Sequence, residues 1–273
     1  MNNFPLVSFI VGVYNTKKFD DLHRSVENML GQTYPNIEVI ICDDCSTNGV
    51  YEYLLENYGE HPRVKIVRNE QNGSLGRALN HCIEFAKGKY LARQDDDDYS
   101  EIDRIEKQVS FLEEHPEYDL VSAGLSKFDE DGRWADIVLP PTPKKVDFCR
   151  HSQHIHASTL FRTECLKKVG GYRISKETAR AEDYDLFMRI YAAGMIGYNM
   201  QQILYYYNTP RGNKRKIKYR YKVREAIVRA KGFRAMRLPI RCYIYVLRPL
   251  IAGLLSESMK QRIKKAISRR NNK

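Results

Sequence analysis

Over residues 6–92, short apolar runs alternate with segments whose apolar residues recur every three or four positions. No other feature narrows the choice of fold as much. Leu6–Val13 reads as a buried strand. Leu22, Val26, Met29 and Leu30 then recur at helical spacing, in a helix that must stop before Pro35. Ile37–Cys42 is a second buried strand, followed by a helix over 49–58 and a strand at Val64–Val67. Asn72-Gly73-Ser74 leads into a helix carrying Leu75, Ala78, Leu79, Cys82, Ile83 and Ala86, closed by Gly88. Lys89–Ala92 is the fourth strand. Strands and helices in this order predict an α/β fold with a parallel-type sheet covered by helices on both faces. Such sheets bind ligands beyond the carboxyl ends of their strands.

Those ends are polar. The first strand runs into Tyr14-Asn15, the second into Asp43-Asp44-Cys45-Ser46, and the fourth into Gln94 and Asp95-Asp96-Asp97-Asp98. Acids following two buried strands predict one shared site. Further on, Ile102, Ile105, Val109 and Leu112 predict a helix, Asp119–Gly124 a strand and Glu130-Asp131-Gly132 a turn. Residues 140–156 are rich in Pro and His and read as loop. A helix over 181–193 carries Leu186, Ile190 and Ala193 and ends at Gly194, and Leu204–Tyr207 reads as a late strand.

Four adjacent carboxylates repel one another and suit a hard divalent cation, Mg²⁺ or Mn²⁺, that bridges one or two of them to a diphosphate. A solvated acidic loop is the plain alternative, but the position after a buried strand favours the metal. Asp43-Asp44 can accept hydrogen bonds from a nucleobase or ribose, form a turn, or cap the next helix. Glu182-Asp183 opens a helix, where the dipole stabilises an anion. There it is either a cap or a base for an acceptor hydroxyl. Cys42 and Cys45 form a C-x-x-C without a second pair, so neither zinc nor redox chemistry is expected. Asn72–Gly76 is glycine-rich but is neither a P-loop nor a dinucleotide fingerprint.

Together, Val7–Asn15, Gln32–Asn36 and Cys42–Thr47 resemble the start of family 2 glycosyltransferases. Gly88–Asp98 resembles the donor-metal segment of that family, and Glu182–Arg189 its acceptor-base segment. The motifs come in the family's order over roughly residues 5–207. The resemblance implies a GT-A fold, a Rossmann-like mixed sheet flanked by helices, and inverting transfer from a nucleotide sugar, most often a UDP sugar. It implies that Asp44 holds the base, that Tyr14 and Asn15 line the nucleotide pocket, and that Asp95 and Asp97 are the outer carboxylates of a D-x-D. Asp97 is then the direct metal ligand and Asp183 the general base. Glu182 and His156 are candidates for the acceptor site, a structural or surface role being the alternative for the lone His156. The family usually has Pro where Gly12 stands and Gly where Cys45 stands. The run Tyr205–Gly212 does not reveal which group replaces the family's diphosphate-contacting Arg or His.

The charge is uneven. The chain carries +11 overall, but residues 214–273 hold 20 Lys/Arg and two acids, for +18, while residues 1–213 carry −7. We expect a transferase domain over 1–213 and, over 214–273, basic amphipathic helices lying on an anionic membrane surface. A helical subdomain packed on the acidic body is the alternative. Nucleic acid is not expected, because no nucleic-acid module is present. No run of about 18 apolar residues exists, so no spanning helix is expected. The Met1–Pro5 segment does not read as a signal peptide. Six scattered cysteines read as reduced thiols. These features lead us to expect a cytoplasmic protein, peripheral on the inner face of the cell membrane; taken with the family resemblance, they imply a glycan or lipid-linked acceptor in cell-surface polysaccharide synthesis. A nucleotidyltransferase, or a non-catalytic polyanion-binding protein on the same body, is the competing reading.

Overall fold

The computed structural model describes residues 4–212 and 218–254. The element order is β1 (Val7–Val13), α1 (Phe19–Leu30), β2 (Ile37–Asp43), α2 (Val50–Tyr58), β3 (Val64–Arg68), α3 (Leu75–Phe85), β4 (Tyr90–Arg93), β5 (Tyr99–Ser100) and α4 (Arg104–Glu114). Then follow β6 (Leu120–Asp129), β7 (Gly132–Ile137), β8 (Leu160–Arg162), α5 (Thr163–Lys168), α6 (Glu182–Ala192), β9 (Gly197–Asn208), α7 (Tyr219–Ala235) and α8 (Arg248–Leu254).

One sheet runs β3-β2-β1-β4-β8-β6-β9-β5, with β7 paired to β6. The first four strands are parallel, as the alternation predicts. Beyond β4 the sheet turns mixed. β8 is antiparallel to both β4 and β6, β9 is parallel to β6, and β5 is antiparallel to β9. The parallel-type expectation therefore holds for only part of the sheet, because β8 and β5 are too short to leave a periodic signal.

Side chains alternate across a strand, so β1 feeds two cores. Val7, Phe9, Val11 and Val13 pack with Leu22, Val26 and Met29 of α1, Leu54 of α2 and Ile105 and Leu112 of α4. Ile10 faces the opposite layer, with Leu79 and Cys82 of α3 and Leu186 and Met188 of α6. Each fully buried aliphatic side chain contributes about 1.5–3 kcal/mol, so both faces resist a register slip. Gly12 makes α3 fit: a β-carbon there would meet Leu75 Cδ1 at 3.0 Å and Ala78 Cβ at 3.2 Å.

Several expectations need correction. Ile102 precedes α4 and is exposed rather than sitting on its apolar face. The segment read as loop over 140–156 contains a 3₁₀ turn, Lys145–Cys149, that buries Phe148 and Cys149. Cys149 is joined to Cys242 by a disulfide, so two of the six thiols are not free. After residue 218 the chain packs on the body. Val228, Phe233, Met236 and Cys242 share a core with Leu186, Phe187 and Met188 of α6. Arg229 Nη1 donates to the Cys149 carbonyl at 3.0 Å. The basic stretch at 260–273 lies outside the described residues.

Candidate active site

Parallel β1, β2 and β4 end on the same edge of the sheet, so the polar groups after them become neighbours. After β1 and β2 the backbone is forced into the left-handed region, at Asn15 (φ 47°) and Cys45 (φ 63°). Asn tolerates this conformation, and Cys does so at a cost that Gly would avoid. The two turns hold each other: Asn15 N–H donates to Ser46 Oγ at 2.9 Å, and Thr47 N–H to Asn15 Oδ1 at 2.9 Å. Tyr14 projects beside them and is 52% exposed.

The Asp pair divides its work. Asp43 is buried, accepts the Ser46 N–H and pairs with Arg68 Nε at 3.0 Å, so it is the turn-former. Asp44 is also buried. Its carboxylate accepts Asn69 Nδ2 (2.6 Å), Asn72 Nδ2 (3.0 Å) and the N–H groups of Gly73 and Ser74. Asp44 thereby shapes the loop that starts α3.

The acidic loop is similarly sorted. Asp95 pairs with Arg93 Nη2, and its backbone N–H donates to the Tyr205 hydroxyl at 3.0 Å. Asp96 accepts the Thr16 hydroxyl, which ties this loop to the end of β1. Asp98 is buried and accepts Tyr205 Oη–H at 2.9 Å and Asn208 N–H at 2.7 Å. Asp97 is different. Among the described residues its carboxylate has no partner beyond its own backbone N–H. Burial, then Asp96, Asp95 and Asp21, push its pKa up to about 7. Crowded like charges with one uncommitted carboxylate are what a divalent cation relieves. No cluster of three or more His, Cys, Asp or Glu ligands exists among the described residues. The residues present therefore fit a cation held by one or two carboxylates and completed by phosphate oxygens and water, the usual manner of Mg²⁺ and Mn²⁺.

Across the sheet edge, α6 brings Glu182 and Asp183 in its first turn. The third acid of that turn, Asp185, is structural: it is buried and pairs with Arg173 and Arg189. Gly76 packs α3 closely on Tyr172, whose Cβ would lie 3.3 Å from a β-carbon there, and leaves Glu182 Cγ at an ordinary contact distance of 3.5 Å. Asp183 is pushed above the usual carboxylate range, chiefly by burial, while the N–H groups of the helix start pull the other way. Glu182 is also raised, chiefly by burial. His156 donates to or accepts from the Tyr172 hydroxyl at 2.6 Å, and burial keeps it neutral, well below its usual value.

A cleft of about 320 Å³ collects these groups. Asp95, His156, Glu182 and Asp183 all line it, although they come from segments up to 88 positions apart. Tyr14, Asn15 and Asp44 do not line it. They sit at the ends of β1 and β2, and Asp97 does not line the cleft either. A larger concavity of about 620 Å³, lined by Arg68, Asn69, Glu70, Gln71, Arg77 and His81 among others, contains neither Asp95 nor Asp183.

The sequence reading missed two cationic residues of the cleft. Arg93 is fully buried at its floor, and Lys127 of β6 lines its wall, with Nζ 5.1 Å from the Trp134 ring. An arginine inside an apolar strand directly before an acidic run was the available signal for Arg93. Beneath it, buried Arg104 donates to the Arg93 carbonyl at 3.2 Å.

Residues 8–170 match the family described as Glycosyl transferase family 2. The chain is 36% identical to the putative glycosyltransferase EpsE of Bacillus subtilis over 97% of this chain and 95% of that one. It is 28% identical to the Escherichia coli UDP-Glc:alpha-D-GlcNAc-diphosphoundecaprenol beta-1,3-glucosyltransferase WfaP, over 92% and 96%. Its fold matches S. aureus TarS 1–349, solved with UDP-GlcNAc, with a TM-score of 0.67 at 19% identity, covering 91% of this chain and 71% of that one. A GT-A sheet, acids gathered at the ends of β2 and β4 and at the start of α6, and a family match over more than half the chain lead to one assignment: this chain belongs to the family 2 glycosyltransferases.

Proposed function

We propose that the protein transfers a sugar, with inversion, from a nucleoside-diphosphate sugar to a hydroxyl of a glycan or lipid-linked acceptor. The observation that carries this reading is the cleft in which Asp95 and the Glu182-Asp183 pair face a common space. UDP is the proposed carrier, in keeping with the UDP-GlcNAc bound to TarS and the UDP-Glc in the name of WfaP. The second of these also motivates a lipid-linked acceptor, a hexosyl or N-acetylhexosaminyl group as cargo and a role in cell-surface polysaccharide synthesis.

Tyr14, Asn15 and the loop shaped by Asp44 bound the nucleotide. Asp97, with Asp95 beside it, would hold Mn²⁺ or Mg²⁺, and such a cation neutralises charge developing on a diphosphate leaving group. Asp183 takes the acceptor hydroxyl proton. That oxygen attacks the anomeric carbon from the face opposite the diphosphate, the anomeric carbon–oxygen bond to the diphosphate breaks, and the nucleoside diphosphate departs. A raised pKa makes the Asp183 carboxylate a stronger base than an exposed one. His156, kept neutral, and Glu182 orient the acceptor. The region 214–273 places the enzyme on the anionic inner face of the cell membrane.

Thermal stabilisation by UDP, GDP and dTDP, each with Mn²⁺ and with EDTA, tests the donor site. Metal-dependent stabilisation by one nucleotide supports it, and no shift with any of them refutes it.

A further inference from the structure

From Ala226 to Leu254 the chain holds six Lys/Arg and no acid. Within this stretch, Ile240, Ile244, Leu247, Ile251 and Leu254 recur at spacings of three and four, through a 3₁₀ segment (Ile240–Val246) and α8. They are 51–85% exposed. The same segments also point inward: Cys242 and Pro249 are buried, and Tyr243 packs edge-on against Phe233 at 6.0 Å. The outward aliphatic row is therefore one side of a docked element, not an unfolded apolar run. No described helix is long and apolar enough to cross a membrane.

The element is fixed to the helix that carries the proposed base. Phe233 and Val228 of α7 pack in the core with Met188 of α6, and a β-carbon at Gly232 would strike Met188. The Arg229 guanidinium lies 5.0 Å from the ring of Tyr184, the residue after Asp183. Cys149–Cys242 and a 2.9 Å bond from Arg248 Nη1 to the Arg150 carbonyl complete the attachment.

We propose that the face of Ile240, Ile244, Leu247, Ile251 and Leu254 inserts into the headgroup–acyl boundary of an anionic phospholipid bilayer. Because it is rigidly joined to α6, it sets the height and tilt of the Asp183 cleft over that surface. This rests on the reading above that the tail meets a membrane. It adds that contact is made by a rigid apolar face of the catalytic body rather than by charge on a tether. Charge selects the occupant. An aliphatic row interspersed along the chain with exposed Arg237, Arg241 and Arg248 complements anionic headgroups. A two-fold contact with a second copy would bring those same cations together.

The test uses the full chain and vesicles of phosphatidylglycerol and phosphatidylcholine in equal parts, or of phosphatidylcholine alone. The expected result is sedimentation with the anionic vesicles, with partitioning weakened at least about tenfold in Ile244→Ser/Ile251→Ser/Leu254→Ser. Arg237→Gln/Arg241→Gln should weaken binding at low salt, and both variants should keep the wild-type melting temperature and its shift with UDP and Mn²⁺. Unchanged vesicle binding by the serine variant overturns the proposal. So does a wild-type dimer in light scattering that the serine variant converts to monomer, since a second copy then covers the face. If the vesicle result holds while no nucleotide shifts the wild type, the insertion face stands and the transferase reading falls.

Discussion

Asp97→Asn should make the metal-free protein more stable while removing its metal response. The Asp97 carboxyl has an ordinary value of 3.8 and is pushed up to about 7 in the fold, first by burial and then by Asp96, Asp95 and Asp21. A carboxyl that is harder to ionise when folded destabilises the fold once it ionises, so the penalty grows as pH rises. It is absent below about pH 4, develops between about 4 and 7, and is complete above 7. Its ceiling is about 4 kcal/mol, at about 1.4 kcal/mol per pH unit. Solvent screening at this partly exposed group reduces that to about 2 kcal/mol. Because the carboxylate bonds to no other residue among those described, Asn forfeits little in exchange. In a chain of this size, Asp97→Asn should then melt about 4–8 °C higher than wild type at about pH 8, with the difference vanishing near pH 4. Both measurements are scanning-fluorimetry melts in EDTA. Adding Mn²⁺ and UDP should raise the wild-type melting temperature and leave the variant unmoved. A variant that melts at or below wild type at about pH 8 would refute the reasoning, since Asp97 would then be paired in the metal-free protein.

Asp183→Asn should keep the nucleotide-dependent shift and lower kcat by about 10²–10⁴, as read in a coupled nucleoside-diphosphate release assay. In wild type, kcat/KM should fall with decreasing pH around a midpoint above the usual carboxylate range, because the base must be ionised and its pKa is raised by burial. His154 is fully buried against Asn199 and Tyr191, and burial lowers it to about 4. A lowered imidazole value means that stability is present above about 6.5 and lost as pH falls toward 4, by up to about 3 kcal/mol. Denaturant titrations should show this slope in wild type and a flatter one in His154→Gln. Cys45→Gly should stabilise the fold by about 1 kcal/mol in urea melts, because it relieves a left-handed backbone at a β-branchless but still unfavoured residue.

The alternation of apolar runs and helical periods was legible because each element carries enough residues to show its period. It located the parallel half of the sheet, both cores and the strand ends where acids collect. Short β5 and β8, and the 3₁₀ turn that buries Phe148, lacked that length and went unread. The Cys149–Cys242 pairing spans 93 residues and has no local sign. Motifs singled out Asp95, Asp97 and Asp183, but not Arg93 or Lys127, which matter only once the strands are side by side.

What the sequence by itself determined is where the acids fall along the chain: local hydrophobicity decides strand and helix, and the loops between them inherit the polar residues. Only the tertiary structure decided which acid is free. Asp95 to Asp98 are chemically identical neighbours; Arg93, two residues away, takes Asp95, but the partners of Asp96 and Asp98 come from distant segments: Thr16 after β1, and Tyr205 and Asn208 on β9. Likewise, periodicity gave the tail an apolar side, but whether protein covers that side depends on what α6 presents to it. Val228 and Phe233 found that surface, while Ile240, Ile244 and Leu247 remain outside it.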